Sequence, residues 1–451
     1  MKKNILYLFA LLMSVQMMAQ GIEEGGVTYV DSDELDFMEV DGVVNIENPA
    51  LRAYMADSTY ERETGPAKWN TVVYNYSKDA RYGKNLDWPG GKLVTWNTTT
   101  PLENIQEIRI TAVNMNFEDG QVGKVSTHNP DNLTDRSFVI RNLFPNCFYE
   151  YRVEEIHKDG SRKELTSGMF ETVGKVRMIQ VRNAHNVRDI GGWSSLYGAT
   201  IKYGILYRSG SLETMNALGR HDFKDNLNVR AELDLRQESN LKSSRLGPEP
   251  DVKFRLKPHD AGSKGLGQNN KVYPEDLRWI LGLIMPSKYS TNKNDQPRAV
   301  DWHCALGCDR CGAVSFLIEG LLGMSYVDLC RDFEISSFKA GYNRPRSHLG
   351  SMFKIIYNYG PKDDLARCFY NYWLSLGMTE EELDDFINHM LNFDDERTYV
   401  RFGEVHRSFR LNYEEVRELQ LEEEQHYLQQ NVHDELKPVS VDQYPARKGR
   451  K

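Results

Sequence analysis

The chain has 451 residues, about three times the length of a typical domain, so two or three separate cores are expected rather than one. Its 40% hydrophobic, 27% charged and 11% aromatic residues exclude global disorder. A formal net charge of −9 argues against a protein that coats nucleic acid or anionic lipid, where Lys and Arg must predominate, and leaves only a local basic pocket open.

Residues 1–20 read as a signal peptide: Lys2 and Lys3, the apolar run Ile5 to Met13, then a small, polar exit near Ala19 and Gln20. A buried N-terminal helix fits less well, because the acidic Glu23 and Glu24 follow at once. Secretion or a periplasmic location is therefore expected. No later run reaches the roughly 18 to 20 apolar residues that span a bilayer. In an oxidising compartment cysteines usually pair. Here Cys147, Cys330 and Cys368 are scattered, while Cys304, Cys308 and Cys311 crowd together, which points to chemistry rather than to stapling.

Residues 21–66 form an acidic, weakly patterned extension with one short helix expected at Pro49 to Met55. From 67 to 173, β-rich segments alternate with turn clusters: Thr71 to Tyr74, Leu93 to Trp96, Ile105 to Val113, Phe138 to Ile140 and Phe148 to Ile156. Strands so spaced suggest an all-β sandwich of immunoglobulin type. The run Leu143-Phe144-Pro145 leading into Tyr149 and Tyr151 resembles the fibronectin type III pattern, and such a domain implies contact with protein or glycan.

From 174 to 391 the texture becomes α/β. Short buried strands are expected at Ile205 to Arg208, Ala231 to Leu235 and Ala299 to Trp302, with helices at Cys311 to Leu322, Asp363 to Leu376 and Glu380 to Leu391, the last opened by Thr379 and its acidic followers. Such alternation implies a central, largely parallel sheet flanked by helices. Residues 392–451 read as a charged extension, helical over Tyr413 to Gln430 and basic at its end.

The passage His303-Cys304-Ala305-Leu306-Gly307-Cys308-Asp309-Arg310-Cys311-Gly312 lies between an expected strand and an expected helix. A Cys-x5-Arg loop wound into a helix start can turn successive backbone N–H groups into one concavity that cradles phosphate. Arg310 would close the ring with a bidentate fork, and the same dipoles would stabilise a Cys304 thiolate. In-line attack then gives a cysteinyl-phosphate, which water releases. The phosphate-binding set is Ala305, Leu306, Gly307, Cys308, Asp309 and Arg310.

This passage resembles the phosphate-binding loop of the protein tyrosine phosphatase superfamily, and is similar to the bacterial tyrosine and dual-specificity phosphatases with His-Cys-x-x-Gly-Lys-Asp-Arg-Thr-Gly. Asn186-Val187-Arg188-Asp189-Ile190-Gly191-Gly192, Tyr207-Arg208-Ser209 and Leu233-Asp234-Leu235-Arg236 match further pieces in order. The resemblance implies a metal-independent, cofactor-free phosphate monoester hydrolase acting on phosphorylated protein or a small phosphate monoester. Two departures stand out. Cys308 replaces the family's Lys and removes a charge, and Cys311 replaces a hydroxyl residue that helps the sulfur leave, so slower turnover is expected.

Asp309 is the first candidate for general acid, and Asp260, after Pro258-His259, is the second. His303 is expected to order the Cys304 backbone. Arg188, Asp189, Arg208 and Arg236 are expected as buried ion-pair scaffolding. Three other readings stand beside this one. Inositol phosphates or phospholipids could be the substrate of the same site. The chain could be a pseudophosphatase that binds phosphorylated ligands without turnover, as Cys311 would allow. The spacing Cys-x3-Cys-x2-Cys could hold an iron–sulfur cluster or zinc, against which Arg310 and export both argue. The three neighbouring thiols also allow a disulfide from Cys304 to Cys308 or Cys311.

Overall fold

The computed structural model describes residues 42–57, 73, 76–78, 86–115, 125–237, 243–266, 272–292, 294–339, 342–393 and 401–402. The expected signal peptide and the expected helix over Tyr413 to Gln430 lie outside the described residues. Two compact units result. One holds Lys92–Ile140 and Phe148–Glu171; the other holds Val43–Gly91, Arg141–Cys147 and the chain from Thr172 onward.

The first unit is antiparallel. Strand β1 (Lys92–Thr95) will pair with β4 (Ser137–Ile140), while β2 (Ile105–Asn114) lies between β3 (Val125–His128) and β5 (Phe148–His157), and β5 pairs with β6 (Arg162–Val173). Ile108, Ile110 and Ala112 are buried on alternate positions of β2, the period-two signature of a strand with one face in a core. Tyr149 stacks on Phe170 with centroids 5.3 Å apart, and the Lys92 ammonium sits 5.8 Å over the same Phe170 ring.

The second unit is built on a six-stranded mixed sheet in the order β11-β10-β12-β9-β8-β7, where β7 is Met178–Ile179, β8 Val187–Asp189, β9 Leu206–Ser209, β10 Val229–Asp234, β11 Lys253–Leu256 and β12 Ala299–His303. The four strands β11, β10, β12 and β9 run parallel, and β8 and β7 add antiparallel at one edge. Every residue of β12 is buried, as a central parallel strand covered on both faces requires.

The chain leaves β12 through residues 304–308 and enters α3 (Asp309–Leu321), the third of the longer helices after α1 (Pro49–Met55) and α2 (Val272–Ile284). From Cys311 to Leu321 α3 is buried all round, so it is a core helix. Helices α4 (Tyr326–Ile335), α5 (Leu365–Ser375) and α6 (Glu380–Met390) follow, with a shorter helix at Gly350–Ile356 between α4 and α5. A capping box opens α6: Thr379 Oγ1 accepts from the Glu382 N–H at 3.2 Å, and Glu382 Oε2 accepts from the Thr379 N–H at 2.9 Å. Gly312 is required inside α3 because a Cβ there would meet the Phe333 ring at 2.7 Å.

Helix α1 falls where the sequence places it, capped by Asn48 Oδ1 accepting from the Leu51 N–H at 2.9 Å. Its company differs from the expected domain plan. Leu51, Tyr54 and Met55 share one core with β10, β12 and α3, and so do Val73, Tyr76 and Leu86. Val73, inside an expected strand, is helical. Residues 43–91 are thus part of the second unit, not an extension followed by the start of a sandwich. No helix among the described residues is long and apolar enough to cross a membrane.

Candidate active site

Cys304 sits at the C-terminal end of β12 and Arg310 in the first turn of α3. Between them, four successive carbonyl groups, those of Ala305 to Cys308, accept from residues outside the loop. Ala305 O accepts from the Ser211 N–H at 3.2 Å, and Leu306 O from Asn186 Nδ2 at 3.0 Å. Arg208 Nη2 donates to Gly307 O at 3.0 Å and to Cys308 O at 3.2 Å. A trans peptide is planar, with its C=O and the next N–H in opposite directions. Holding four successive carbonyls outward therefore turns the N–H groups of Leu306, Gly307, Cys308 and Asp309 inward.

Gly307 makes this curvature accessible. Its φ is +72°, and a Cβ there would meet the Ser209 and Gly210 backbone at 2.7 Å. Arg208 and Arg188 are both fully buried and share the Asp332 carboxylate: Arg208 Nη1 reaches Oδ2 at 2.8 Å, and Arg188 Nε reaches Oδ1 at 2.9 Å. Arg188 Nη1 also donates to Asn186 Oδ1 at 3.1 Å, which aims the amide that holds Leu306. Burial pushes the nearby Glu319 carboxyl well up, with the Asp332 charge adding to it, while the two guanidiniums overcome burial and hold Asp332 low. The two guanidiniums thus favour the negative charge on Asp332 over Glu319. Asp189 serves elsewhere, pairing with Arg177 at 2.8 Å, and Arg236 pairs with Asp234 at 2.8 Å.

Cys304 is 3% exposed. Its thiol is held well below the usual range by a hydrogen bond from the Cys311 thiol, against the opposing effect of burial; the N–H groups of Cys311 and Leu306 and the charge of Arg310 add to the lowering. Burial pushes Cys311 well up, so it stays a donor. Burial likewise raises Cys308 to about 11. Beneath the loop, burial lifts Asp301 to about 7, and its Oδ2 accepts from Ser209 Oγ at 2.8 Å. His303 lies fully buried with Nε2 at 2.9 Å from Glu232 Oε1; burial opposes its charge, but Glu232 and the neighbouring carboxylates raise its pKa.

Arg310 is half-buried and makes one hydrogen bond among the described residues, from Nη1 to Leu235 O at 3.4 Å. The rest of its fork is available to a ligand. The two candidate acids are placed differently. Asp309, in the first turn of α3, is gripped by Arg344, Nε to Oδ1 at 2.7 Å and Nη2 to Oδ2 at 2.9 Å. Asp260 is exposed and accepts from Gln237 Nε2 at 3.1 Å. The adjacent His259 donates its N–H to Leu235 O, the carbonyl that Arg310 also uses. Asp260 thus stands on a loop bound to the same point as Arg310.

Arg344, Asp332 and Asp87 carry no local motif and are not singled out by sequence. Asp87, from the N-terminal part of this unit, accepts from the Asn186 N–H at 3.3 Å and faces Lys339 Nζ at 3.5 Å. Among the described residues, no group of three or more His, Cys, Asp and Glu side chains is placed to hold a metal ion.

A cysteine in an N–H cradle closed by an arginine is a phosphate site, and residues 179–354 match the model of the tyrosine phosphatase family. Over this segment the chain is similar to the tyrosine phosphatase family. The chain is a phosphoric monoester hydrolase. The segment contains β8 to β12, the loop and Arg344. No curated protein matches the chain. Among solved structures, the Siw14 catalytic core is similar at 16% identity over 38% of this chain and 88% of that one, with a TM-score of 0.22, too low to bear on the assignment.

Proposed function

We propose that this domain hydrolyses phosphate monoesters of tyrosine or dual-specificity type through a cysteinyl-phosphate on Cys304. The observation that carries the reading is the set of four outward-held carbonyls, which leaves four N–H groups and Arg310 facing a thiol already biased to thiolate. Phosphate enters the cradle, and Cys304 Sγ attacks phosphorus opposite the ester oxygen. Asp309 protonates that oxygen as the P–O bond breaks. Water then attacks phosphorus, the S–P bond breaks, and Asp309 accepts the water's proton. The Cys311 thiol steadies the departing sulfur. Asp260 is the second candidate for the proton transfer, supported by its loop's anchorage at Leu235.

The signal-peptide pattern of residues 1–20 supports export to the periplasm or the exterior. The antiparallel strands of the first unit, with Tyr149 and Tyr151 among them, support a fibronectin type III-like module that contacts protein or glycan; the Leu143-Phe144-Pro145 turn belongs to the second unit.

The test is hydrolysis of an aryl phosphate by the mature protein, with reductant and a metal chelator, beside Cys304→Ser. Turnover that resists the chelator and falls by at least about 10³-fold in the variant is expected. Retained turnover in Cys304→Ser would remove the mechanism. Binding of phosphate analogues without turnover by the unaltered protein would instead favour a pseudophosphatase, the reading that Cys311 in the hydroxyl position keeps in play. Inositol phosphates and phospholipids belong in the same substrate panel.

A further inference from the structure

The grip of Arg344 on Asp309 conflicts with the duty just given to Asp309. An acid must hold a proton, yet both Asp309 oxygens accept from one guanidinium, at 2.7 and 2.9 Å. A protonated oxygen in that fork would set two hydrogens against each other. The resting site therefore holds Asp309 as a carboxylate.

Arg344 is well placed to let go. Its backbone N–H is fixed by Ser337 Oγ at 2.8 Å, and apart from Asp309 its fork donates, among the described residues, only to the Asn343 carbonyl, at 3.0 Å, so the side chain has an anchored point from which to turn. Its side chain is 21% exposed and that of Asp309 is 40% exposed, so the pair is not sealed in the core. Its charge acts on Cys308, the loop residue just before Asp309, and lowers that thiol against burial. The loop itself has a single cation, Arg310, because Cys308 stands at its other candidate position. A phosphate dianion in the cradle is thus the strongest new anion within the field of Arg344.

We propose that Arg344 is shared between two anions in turn: Asp309 when the site is empty, and the substrate phosphate when it is filled. As the fork turns to the dianion, Asp309 is left beside a like charge without its counter-ion and takes a proton from solvent. That proton then goes to the ester oxygen as the S–P bond forms and the P–O bond breaks. When the alcohol has left, Asp309 is a carboxylate again and takes the proton of the attacking water. Occupancy of the site thereby makes the acid. The inference rests on the phosphatase reading above.

The other titratable groups acting on the pair are Cys308, Tyr342 and His348, and His185 and Cys304 lie beside Tyr342. Burial raises Cys308 to about 11 and Tyr342 to about 12, so both stay protonated at neutral pH. Burial lowers His348, with the Arg344 charge adding to it, and burial lowers His185, with Lys339 adding to it. Either histidine could take up a proton on anion binding and must be controlled for.

The experiment uses full-length Cys304→Ser protein, which removes the thiolate, and tungstate, a dianion without an exchangeable proton at neutral pH. Calorimetry in buffers of different ionisation enthalpy gives both the affinity and the protons taken up. In this background, proton uptake on binding is expected, and it should vanish in Asp309→Asn but survive in His348→Asn and His185→Asn. Asp309→Asn should bind tungstate about tenfold or more tightly, because Arg344 is released. Arg344→Gln, added to Asp309→Asn, should lose about tenfold or more. Arg344→Lys, which keeps the charge but not the fork, should fall between.

Loss of the Arg344→Gln effect in the Asp309→Asn background would mean that Arg344 acts on Asp309 alone and would overturn the inference. So would proton uptake that is absent, or that persists without Asp309. Tungstate binding that needs Arg310 but ignores Arg344 would sink this inference and leave the phosphatase reading standing. Failure to bind tungstate at all would sink both.

Discussion

The Cys311 thiol, standing where a hydroxyl is usual, lowers the Cys304 thiol while its Sγ also lies 3.5 Å from Ser209 O and 3.6 Å from Trp302 O, and thiols are weak donors. The same contact helps keep Cys304 ionised and must later stabilise the sulfur as it leaves phosphorus. Replacing Cys311 by Ser supplies a better donor of similar size in a fully buried place. A gain of about 1 kcal/mol for the leaving thiolate corresponds to about fivefold in rate. With a good aryl leaving group, where release of the phospho-enzyme limits, kcat should rise by about that factor and the pre-steady-state burst should shrink. An unchanged burst would show that the Cys311 contact does not govern this step. At this scale the sequence is informative wherever the chemistry is local, as for Cys304, Asp309 and Arg310. It is silent on Arg344, whose partner lies 35 residues away and is set by tertiary packing.

Helix α4 shows the same division at the scale of an element. Asp332 and Glu334 are two positions apart, about 200° around a helix, so they face opposite sides. Asp332 holds the two arginines behind the phosphate loop. Replacing it by Ala strands two buried guanidiniums, and unfolding in urea should show a loss of about 3–5 kcal/mol. Glu334 faces the other way, accepting from Tyr54 Oη at 2.7 Å and from the Arg346 N–H at 2.8 Å. Burial raises it from 4.5 to about 8. Its folded pKa lies above its unfolded one, so the folded state binds more protons between those values. Its contribution is therefore complete below about pH 4.5 and is lost as pH rises toward 8. Glu334→Gln should flatten the fall in stability across that window, as read by melting temperature against pH. The strands β9, β10 and β12 and helices α3, α5 and α6 are legible as runs and periods. The pairing of Asp332 with β8 and β9 is not, since it joins elements more than 100 residues apart.

For the whole molecule, the sequence separates a β-rich half from an α/β half by texture, and texture carries no record of which segments share a core. Residues 43–66 read as an extension and residues 67–91 as the start of a sandwich, yet the apolar positions of both are among those that pack in the second unit. Tyr54 and Leu51 are buried in the second unit's core, and Tyr54 packs edge-on to Phe338 with centroids 5.6 Å apart. Asp87 reaches the backbone of Asn186, whose amide holds the phosphate loop at Leu306. A chain begun at Gly174, where the α/β pattern starts, would lose all of these. Each large apolar side chain removed from a core costs about 2–5 kcal/mol, and a domain has only about 5–15 kcal/mol to lose. The truncated chain should be insoluble or lack a cooperative thermal transition. Removing residues 1–20 alone should leave the transition intact, since Ile46 and the helix at Pro49–Met55 remain. A chain begun at Gly174 that melts cooperatively and binds tungstate with unchanged affinity would show that residues 43–91 are dispensable for both the core and the loop.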